Sequence, residues 1–311
     1  MSPENPWTLF KRPIVALAPM DGVTDRAFRQ VVRRLNPEVL LYSEFTSING
    51  IEHSGQVRER LRFENMELPY LVQLFGREPA LFAKIAQEIS DQGISGIDIN
   101  LGCPSKRIVQ NGNGAALIKE PDLACQIVEA TAKATHLPVT VKTRLGWSDA
   151  ENLIPFAKSL ESAGAQLITI HGRTAKMGYR GEADWEPIYE LKKALSIPVL
   201  GNGDLRGGDQ GKGQLKNLDG FMIGRASLGN PWVFWSEEKR AEVTLRDKIE
   251  VMIEHLQALL SYQPEHKALI EFRKHLGGYV SGFRDAKVAR RELMESQSPS
   301  EFTQRALSLV S

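Results

Sequence analysis

The chain is poor in cysteine and contains no long apolar run. Only Cys103 and Cys125 occur among its 311 residues, which is too few for a disulfide framework, so a reducing cytoplasm is the expected setting. The first residues lack a basic segment followed by an apolar one, and no stretch approaches the ~18 apolar residues that cross a bilayer. We therefore expect a soluble, untargeted protein without membrane contact.

Several cofactor and metal signatures are also missing. The G-x-G patterns at Gly201-Asn-Gly203 and Gly112-Asn-Gly114 lack the third glycine of a dinucleotide-binding fingerprint. There is no Walker A sequence, no C-x-x-C and no closely spaced histidine pair, so we predict no metal site. The net charge of +1 neither requires nor excludes a nucleic acid, because a local basic face can bind phosphates while acidic residues elsewhere cancel the total.

Short β-rich runs alternate with helical segments along most of the chain. The eight runs occupy residues 14–19, 40–45, 70–75, 96–101, 139–144, 167–172, 199–203 and 220–225. The segments between them, such as 79–92, 121–135 and 150–163, carry apolar residues three and four apart. Eight such units favour an α/β fold of the (β/α)8 TIM-barrel type over an open sheet. The seventh crossover, between Asp204 and Asp219, is poor in helix formers and should be short or irregular.

The pattern changes after Val243. Thr244 can cap a helix with Asp247 three residues on, and apolar residues then recur at helical spacing. Further helical patterns cover 266–279 and 287–295, and no strand pattern returns. We predict a catalytic barrel at residues 1–243 and a small all-helical domain at 244–311.

Polar residues gather at the carboxyl ends of the predicted strands, where barrels of this kind form their active sites. They include Asp21, Glu44, Gln73, Asn100, Lys142, Arg144, His171, Arg173, Asn202, Asp204 and Arg225. A lysine inside a barrel, such as Lys142, is costly without an anionic or oxygen partner. The loops after strands seven and eight hold phosphate in such barrels, so Gly203, Gly224 and Arg225 suit a phosphate monoester. This combination indicates flavin mononucleotide (FMN).

The fourth strand leads to Cys103, which precedes Pro104. Proline disfavours helical backbone at the residue before it, so Cys103 should be extended and should project from the strand end. A lone cysteine would more often be an inert core thiol, as we expect of Cys125 in its helix. A lone His171 would often be a satisfied core histidine, but its place at a strand end lowers that expectation. The polar surroundings favour a reactive Cys103.

In order and spacing, these motifs resemble those of the tRNA-dihydrouridine synthase family, flavoenzymes that reduce a uridine of tRNA. The matching segments are Ala18-Pro-Met-Asp-Gly-Val-Thr-Asp25, Gln73-Leu-Phe-Gly76, Asn100-Leu-Gly-Cys-Pro-Ser105, Gly112-Asn-Gly-Ala115, Lys142-Thr-Arg144, His171-Gly-Arg-Thr174, Asn202-Gly-Asp204, Met222-Ile-Gly-Arg225 and Arg273-Lys-His275. The resemblance runs from about residue 14 to residue 283. An acidic Asp21 and the glycine-rich seventh crossover depart from the pattern and leave the subgroup open.

The resemblance implies that NADPH reduces FMN, that the flavin passes hydride to C6 of uridine, and that Cys103 protonates C5. It implies FMN contacts by Pro19, Met20, Asp21, Gln73, Lys142, His171, Asn202, Gly203, Asp204, Gly224 and Arg225. It implies tRNA contacts by Asn100, Arg144, Arg173 and Tyr179 and, in the helical domain, by Arg273 and Lys274. The helical domain would follow the tRNA backbone, and we expect a cytoplasmic monomer.

Two alternatives stay open. An FMN barrel of the dihydropyrimidine or dihydroorotate dehydrogenase type would use a similar cysteine on a free small molecule, and the basic helical appendage argues against it. A non-catalytic tRNA-binding relative would keep the fold without turnover. The presence of Cys103, Lys142 and His171 together argues against that second alternative.

Overall fold

The computed structural model describes Trp7 and residues 11–311. The predicted lack of a targeting segment concerns the first few residues, and these lie outside the described part of the chain. Within the described part, no helix combines the length and the apolar character needed to span a bilayer.

Eight parallel strands form a closed barrel, and a ninth short strand pairs beside them. The strands are β1 (Ile14–Leu17), β2 (Leu41–Tyr42), β3 (Thr46–Ser47), β4 (Tyr70–Phe75), β5 (Gly96–Asn100), β6 (Val139–Arg144), β7 (Leu167–His171), β8 (Val199–Asn202) and β9 (Gly220–Ile223). They follow the order β1-β9-β8-β7-β6-β5-β4-β2, with β3 paired to β4. Leu40 closes the ring on β1, since Leu17 N–H donates to its carbonyl at 3.0 Å and its own N–H donates to Val15 O at 2.8 Å. The predicted TIM barrel is confirmed.

Helices separate the strands and continue beyond the barrel. They are α1 (Arg26–Leu35), α2 (Ile48–His53), α3 (Gly55–Arg58), α4 (Pro79–Ser90), α5 (Lys106–Gln110), α6 (Pro121–Ala134), α7 (Leu153–Ser162), α8 (Glu186–Ala194), α9 (Gly208–Gly213), α10 (Glu237–Ala241), α11 (Leu245–Leu260), α12 (Glu265–Phe272), α13 (Leu276–Tyr279), α14 (Ala286–Met294) and α15 (Pro299–Ser308). Helix α9 has six residues, in line with the short seventh crossover expected from its glycines.

The second barrel strand is shorter than the pattern predicted, and its end is rearranged. The apolar run covers 40–45, but β2 stops at Tyr42. Ser43 explains the stop, because its hydroxyl donates to Glu44 O at 2.7 Å and accepts from Gln73 N–H at 2.8 Å. A side-chain hydroxyl that bonds the backbone replaces ladder hydrogen bonds and lets the strand end early.

The helices after Val243 differ from the predicted pattern in two places. Thr244 caps α11 reciprocally with Asp247, as expected, but the single helix predicted over 266–279 is interrupted by a 3-10 turn at Arg273–His275. Helix α15 was missed. Its signal was present, since Ser298 accepts from Glu301 N–H at 3.1 Å and a proline follows the cap.

The C-terminal helices bury a core that they share with the barrel layer. Met252, Phe272 and Tyr279 pack in one cluster with Val31 of α1 and with Trp232. Burying a side chain of this size stabilises the fold by about 1.5–3 kcal/mol. Helix α1 therefore belongs to both cores, and the domain boundary at residue 243 stays a prediction.

Candidate active site

A cavity of about 480 Å³ lies at the carboxyl ends of the barrel strands. Most of the residues singled out from the sequence line it. These are Pro19, Met20, Gln73, Asn100, Cys103, Lys142, Arg144, His171, Tyr179, Asn202, Gly203, Asp204, Gly224 and Arg225. Parallel strands present their carboxyl ends at one rim, so residues far apart in the chain meet there.

Two predicted residues of the barrel lie outside the cavity lining. The carboxylate of Asp21 faces Arg60 at 3.1 Å. Arg173 is buried and donates to Asp204 Oδ2 at 2.6 Å and to Gly181 O at 2.6 Å. Arg173 thus holds the loop after β7 against the loop after β8. The roles predicted for Asp21 in flavin binding and for Arg173 in substrate binding stay predictions.

Two predicted residues of the helical region also lie away from the cavity lining. Arg273 donates to Ser296 O at 3.2 Å, and the ammonium of Lys274 donates to Gly22 O. Lys274 therefore connects the helical region to the loop after β1. Contact of either residue with tRNA stays a prediction.

A chain of side-chain amides connects the middle of β5 to Cys103. Asp98 Oδ2 accepts from Gln73 Nε2 at 2.6 Å, and Gln73 Oε1 accepts from Asn100 Nδ2 at 3.0 Å. Asn100 Oδ1 then accepts from the Cys103 N–H at 2.9 Å. Asp98 was not among the predicted site residues, although it stands two residues before Asn100 and so faces the same side of the strand.

Cys103 is partly buried at the wall of the cavity. Burial raises the pKa of its thiol above the ordinary value, although a hydrogen bond from the backbone of Ser105 and the charge of Arg144 act the other way. The sulfur is therefore protonated at neutral pH. A protonated thiol in a cavity can give a proton to a ligand.

Lys142 on β6 places a cation at the wall of the cavity. Its Nζ donates to Asn202 Oδ1 at 3.1 Å, and Asn202 Nδ2 donates to Met222 O at 2.7 Å, which fixes the orientation of that amide. Burial lowers the pKa of Lys142 to about 8, helped by the charge of Arg144 and opposed by that of Asp98. A lysine held in this state gains stability from an anionic or oxygen-rich ligand.

His171 is a neutral ring among cations. Burial lowers its pKa to about 2, and the charges of Lys142, Arg144, Arg173 and Arg225 add to this effect. Its Nδ1 has no hydrogen-bond partner in the described part of the chain. A buried, unpartnered ring nitrogen at a cavity wall is a group that a ligand can satisfy.

The rim of the cavity is aromatic and basic. The side chain of Tyr179 is 59% exposed, and the guanidinium carbons of Arg144 and Arg225 lie 5.6 and 4.9 Å from its ring centroid. Arg225 also donates to Asp204 Oδ1 at 3.1 Å. Asp204 adopts a left-handed backbone at φ 54°, an uncommon conformation outside glycine that Asp tolerates better than most residues.

Other residues at the site were not predicted from the sequence. Phe45, Leu205 and Arg206 line the cavity. Leu205 and Arg206 directly follow the strand-end motif that closes on Asp204, and that adjacency was the available signal. Glu44 was noted at its strand end, and the structure shows that it accepts from Gly22 N–H at 2.5 Å.

Among the described residues, one cluster of metal-ligand type lies outside the cavity lining. Ligand atoms of Asp25, His255 and His275 lie within 4.8 Å of one another, and all three residues are buried. The Gly229 N–H donates to His275 Nδ1 at 3.2 Å. This bond places the proton of the neutral ring on Nε2, which leaves no lone pair there for a cation. The predicted lack of a metal site stays a prediction.

Comparison with known proteins assigns the chain to a family. The family model described as "Dihydrouridine synthase (Dus)" matches residues 16–310. The chain is 39% identical over 297 residues to "Probable tRNA-dihydrouridine synthase 1" of Synechocystis sp., covering 92% of this chain and 83% of that protein. It is 36% identical over 303 residues to "tRNA-dihydrouridine synthase B" of Pseudomonas aeruginosa, covering 94% and 91%.

The fold also matches a solved structure. An old yellow enzyme homologue from Zymomonas mobilis superposes with a TM-score of 0.53 at 14% identity, covering 76% of this chain and 90% of that one. At this identity the likeness concerns the barrel fold alone. The sequence matches carry the assignment, and this chain belongs to the dihydrouridine synthase family.

Proposed function

We propose that this protein reduces the C5=C6 bond of a specific uridine in tRNA to 5,6-dihydrouridine, with FMN in the cavity and NADPH as the source of electrons. The observation that carries the proposal is that Cys103 and Lys142 line the same cavity. Cys103 supplies a protonated thiol and Lys142 a nearby cation. Reduction of a conjugated C=C bond in a pyrimidine requires both a proton donor and a positive charge.

The chemistry of the lining residues fits FMN. The volume of about 480 Å³ lies within the ~300–1,000 Å³ usual for ligand pockets. Lys142, Arg206 and Arg225 supply cations for a phosphate and for the electron-rich edge of the ring system. His171 offers its Nδ1, which has no partner among the described residues. Gly224 leaves its main chain open, since the described atoms nearest to an added Cβ would be Ala18 Cβ at 3.5 Å and Met20 Sδ at 3.8 Å.

When bound, the flavin supplies hydride transfer. The chain's own residues do the rest: Lys142 holds positive charge where negative charge develops, and Cys103 keeps a proton on its sulfur until the pyrimidine carbon takes it. Asn100 holds the Cys103 main chain in place at 2.9 Å. The neutral His171 adds no further positive charge to a site that already holds several cations.

The rim supports a tRNA substrate over a free pyrimidine. A uridine inside folded tRNA must leave its stack to reach a cavity, and an aromatic ring flanked by guanidinium groups favours an unstacked base. Tyr179 with Arg144 and Arg225 has this composition. Helix α14 and its flanks add Arg284, Lys287, Arg290 and Arg291 as candidate phosphate contacts, although Arg290 also donates to Val280 O at 2.7 Å. We further propose that the enzyme acts in the cytoplasm as a monomer.

The test is a reaction with defined components. The purified protein reconstituted with FMN is incubated with NADPH and unmodified tRNA, and dihydrouridine is mapped by mass spectrometry. We expect one modified position with the wild-type protein and with Cys125→Ala, which changes the cysteine packed outside the cavity. We expect bound FMN but no dihydrouridine with Cys103→Ala.

Two results would refute parts of the proposal. A protein that cannot be reconstituted with FMN would refute the flavin assignment. Reduction of free uracil, or turnover of dihydroorotate, without any action on tRNA would favour the small-molecule alternative.

A further inference from the structure

We propose that Asp98 is a positioning residue. Together with the main-chain N–H groups at the other end of the chain, its carboxylate holds Gln73 and Asn100 in one orientation, so that Asn100 supports Cys103 and both amides offer an N–H to the cavity. The inference rests on the proposed function only for the role of Cys103 as proton donor. Nothing in the chain of contacts itself depends on that role.

The direction of the chain follows from its two ends. An ionised Asp98 can only accept hydrogen bonds, and the main-chain N–H of Cys103 can only donate. Between them stand the amides of Gln73 and Asn100, each of which has one end that donates and one that accepts. With Asp98 at one end, Gln73 must turn its nitrogen to the carboxylate and its oxygen to Asn100 Nδ2.

The other end imposes the same direction. Asn100 Oδ1 accepts from the N–H groups of both Gly102 and Cys103, at 3.0 and 2.9 Å. Turning either amide would place oxygen against the Asp98 carboxylate or nitrogen against a main-chain N–H. Asp98 is fully buried and lies outside the cavity lining, so water cannot repair a mismatch at its carboxylate.

Asp98 is itself held independently of the chain. Its second oxygen accepts from Thr140 Oγ1 at 2.5 Å on the neighbouring strand, where Asp98 and Thr140 are register partners. Burial raises the pKa of Asp98 to about 6, although the hydrogen bonds from Gln73 and Thr140 oppose it. At neutral pH the group is therefore ionised and acts as an acceptor at both oxygens.

The chain determines what the cavity offers. Gln73 donates one N–H to Asp98, and its oxygen accepts from Asn100. Asn100 donates one N–H to Gln73, and its oxygen accepts from two main-chain N–H groups. Each amide keeps one unused N–H, and both residues line the cavity. The ligand atoms that they recognise must accordingly be acceptors, such as the carbonyl oxygens of a pyrimidine or flavin ring.

The loop of Cys103 depends on this support at its amide side. On its carbonyl side, Ala115 N–H donates to Cys103 O at 3.1 Å, and Gly114 packs so closely that an added Cβ would lie 2.9 Å from that oxygen. Loss of the Asn100 bond therefore releases one side of the loop only. The thiol then samples more positions and becomes more accessible.

The experiment measures the alkylation rate of Cys103 by iodoacetamide in the full-length protein without flavin or tRNA, with mass-spectrometric mapping and Cys125 as the internal reference. Asp98→Val removes the acceptor with a β-branched side chain of similar size. Asp98→Asn keeps an acceptor for Gln73, since its NH2 can donate to the Thr140 hydroxyl. Thr140→Val is the matched control, because it removes a bond to Asp98 without touching the chain.

We expect several-fold faster alkylation of Cys103 in Asp98→Val and rates close to wild type in Asp98→Asn and Thr140→Val. In the FMN-reconstituted enzyme, Asp98→Val should lower kcat for tRNA and raise KM, since both the position of Cys103 and the N–H groups that Gln73 and Asn100 offer to a ligand depend on the chain. Asp98→Asn should restore most of both. A wild-type alkylation rate in Asp98→Val would overturn the proposal. Equal acceleration in Asp98→Asn would also overturn it, because charge rather than direction would then matter.

Gln73→Met decides the question if Asp98→Val does not fold. It removes both the bond to Asp98 and the acceptor for Asn100 Nδ2, so it should accelerate alkylation of Cys103 in the same way, and an unchanged rate would overturn the proposal. Alkylation requires no turnover. Failure of the proposed function would appear as absent dihydrouridine with the alkylation pattern intact, so the two failures are distinguishable.

Discussion

The side chain of Asn100 accepts a hydrogen bond from the main-chain N–H of Cys103 at 2.9 Å. The last residue of a barrel strand thus fixes the residue that we propose as proton donor. Strand β5 is buried along its whole length, so its backbone is held firmly by the barrel. The side-chain amide of Asn100 then restrains the loop that carries Cys103. Placing a reacting group on a rigid strand end preserves its geometry better than a free loop would.

Asn100→Ala should reduce kcat by about tenfold or more, because the N–H groups of Gly102 and Cys103 lose their acceptor and a shift of ~1.4 kcal/mol in the barrier is tenfold in rate. The measurement is steady-state formation of dihydrouridine in tRNA. Asn49→Ala is the control, since Asn49 is exposed on α2, lies outside the cavity lining and donates to Glu78 Oε1 at 3.3 Å. An unchanged kcat in Asn100→Ala would show that the Cys103 loop keeps its position without the Asn100 hydrogen bond.

The affinity of the cavity for FMN should fall as pH rises above about 8. Burial lowers the pKa of Lys142 to about 8, so the ammonium that attracts an electron-rich ligand is present below that pH and is lost above it. Flavin fluorescence quenching from pH 6.5 to 9.5 measures the Kd. Lys142→Met should bind FMN more weakly at neutral pH and show a flatter profile over this range. Equal profiles for the two proteins would refute the role of Lys142.

Acid should destabilise the fold from about pH 6.5 downward. Burial lowers the pKa of His275 to about 3 and of His171 to about 2, and it lowers the pKa of His255 well below the usual 6.5. Below pH 6.5 these histidines bind protons in the unfolded chain but not in the folded chain. The free energy of unfolding therefore falls with falling pH, by at most about 1.4 kcal/mol per pH unit for each histidine.

Asp25 opposes this trend in part. Burial raises its pKa from 3.8 to about 7, so between those values the folded state binds the extra proton and gains stability as pH falls. The raised pKa of Asp98, about 6, acts in the same direction, and three histidines outweigh two carboxyls. Thermal unfolding between pH 8 and pH 4.5 measures the slope, which should be shallower in His275→Gln and unchanged in His136→Gln, whose ring is exposed. Equal slopes for both variants would exclude His275 as a contributor.

Gly220→Ala should destabilise the barrel at its seam. Gly220 pairs with Ile14 between β1 and β9, and an added Cβ would lie 2.0 Å from Ile14 O. Because a main-chain atom cannot move aside, we expect a loss of about 1–3 kcal/mol. Gly213→Ala is the control, since no described residue lies within 4 Å of an added Cβ there, and it should leave the free energy of unfolding unchanged or raise it slightly. Similar melting temperatures for both variants would contradict the seam argument.

Much of the site was predictable because strand ends in a barrel converge. Asn100, Lys142 and His171 each close the apolar part of a run, and one topological rule then places them at the same rim. Asp98 was not predictable in this way, since it stands inside a run and its importance depends on Gln73 of the neighbouring strand. The pairing of His255 with His275 likewise arises only when α11 packs beside the 3-10 turn.

The sequence by itself determined the barrel, the succession of its strands and the polar residues at their ends, because apolar periodicity and local capping act between residues close in the chain. Only the tertiary structure decided the state of those residues. The raised pKa of Cys103, the lowered pKa of Lys142 and the neutrality of His171 follow from burial and from charges on other strands. The direction of the amide chain from Asp98 to Cys103 also has this origin, since hydrogen bonds between strands exist only once the barrel has closed.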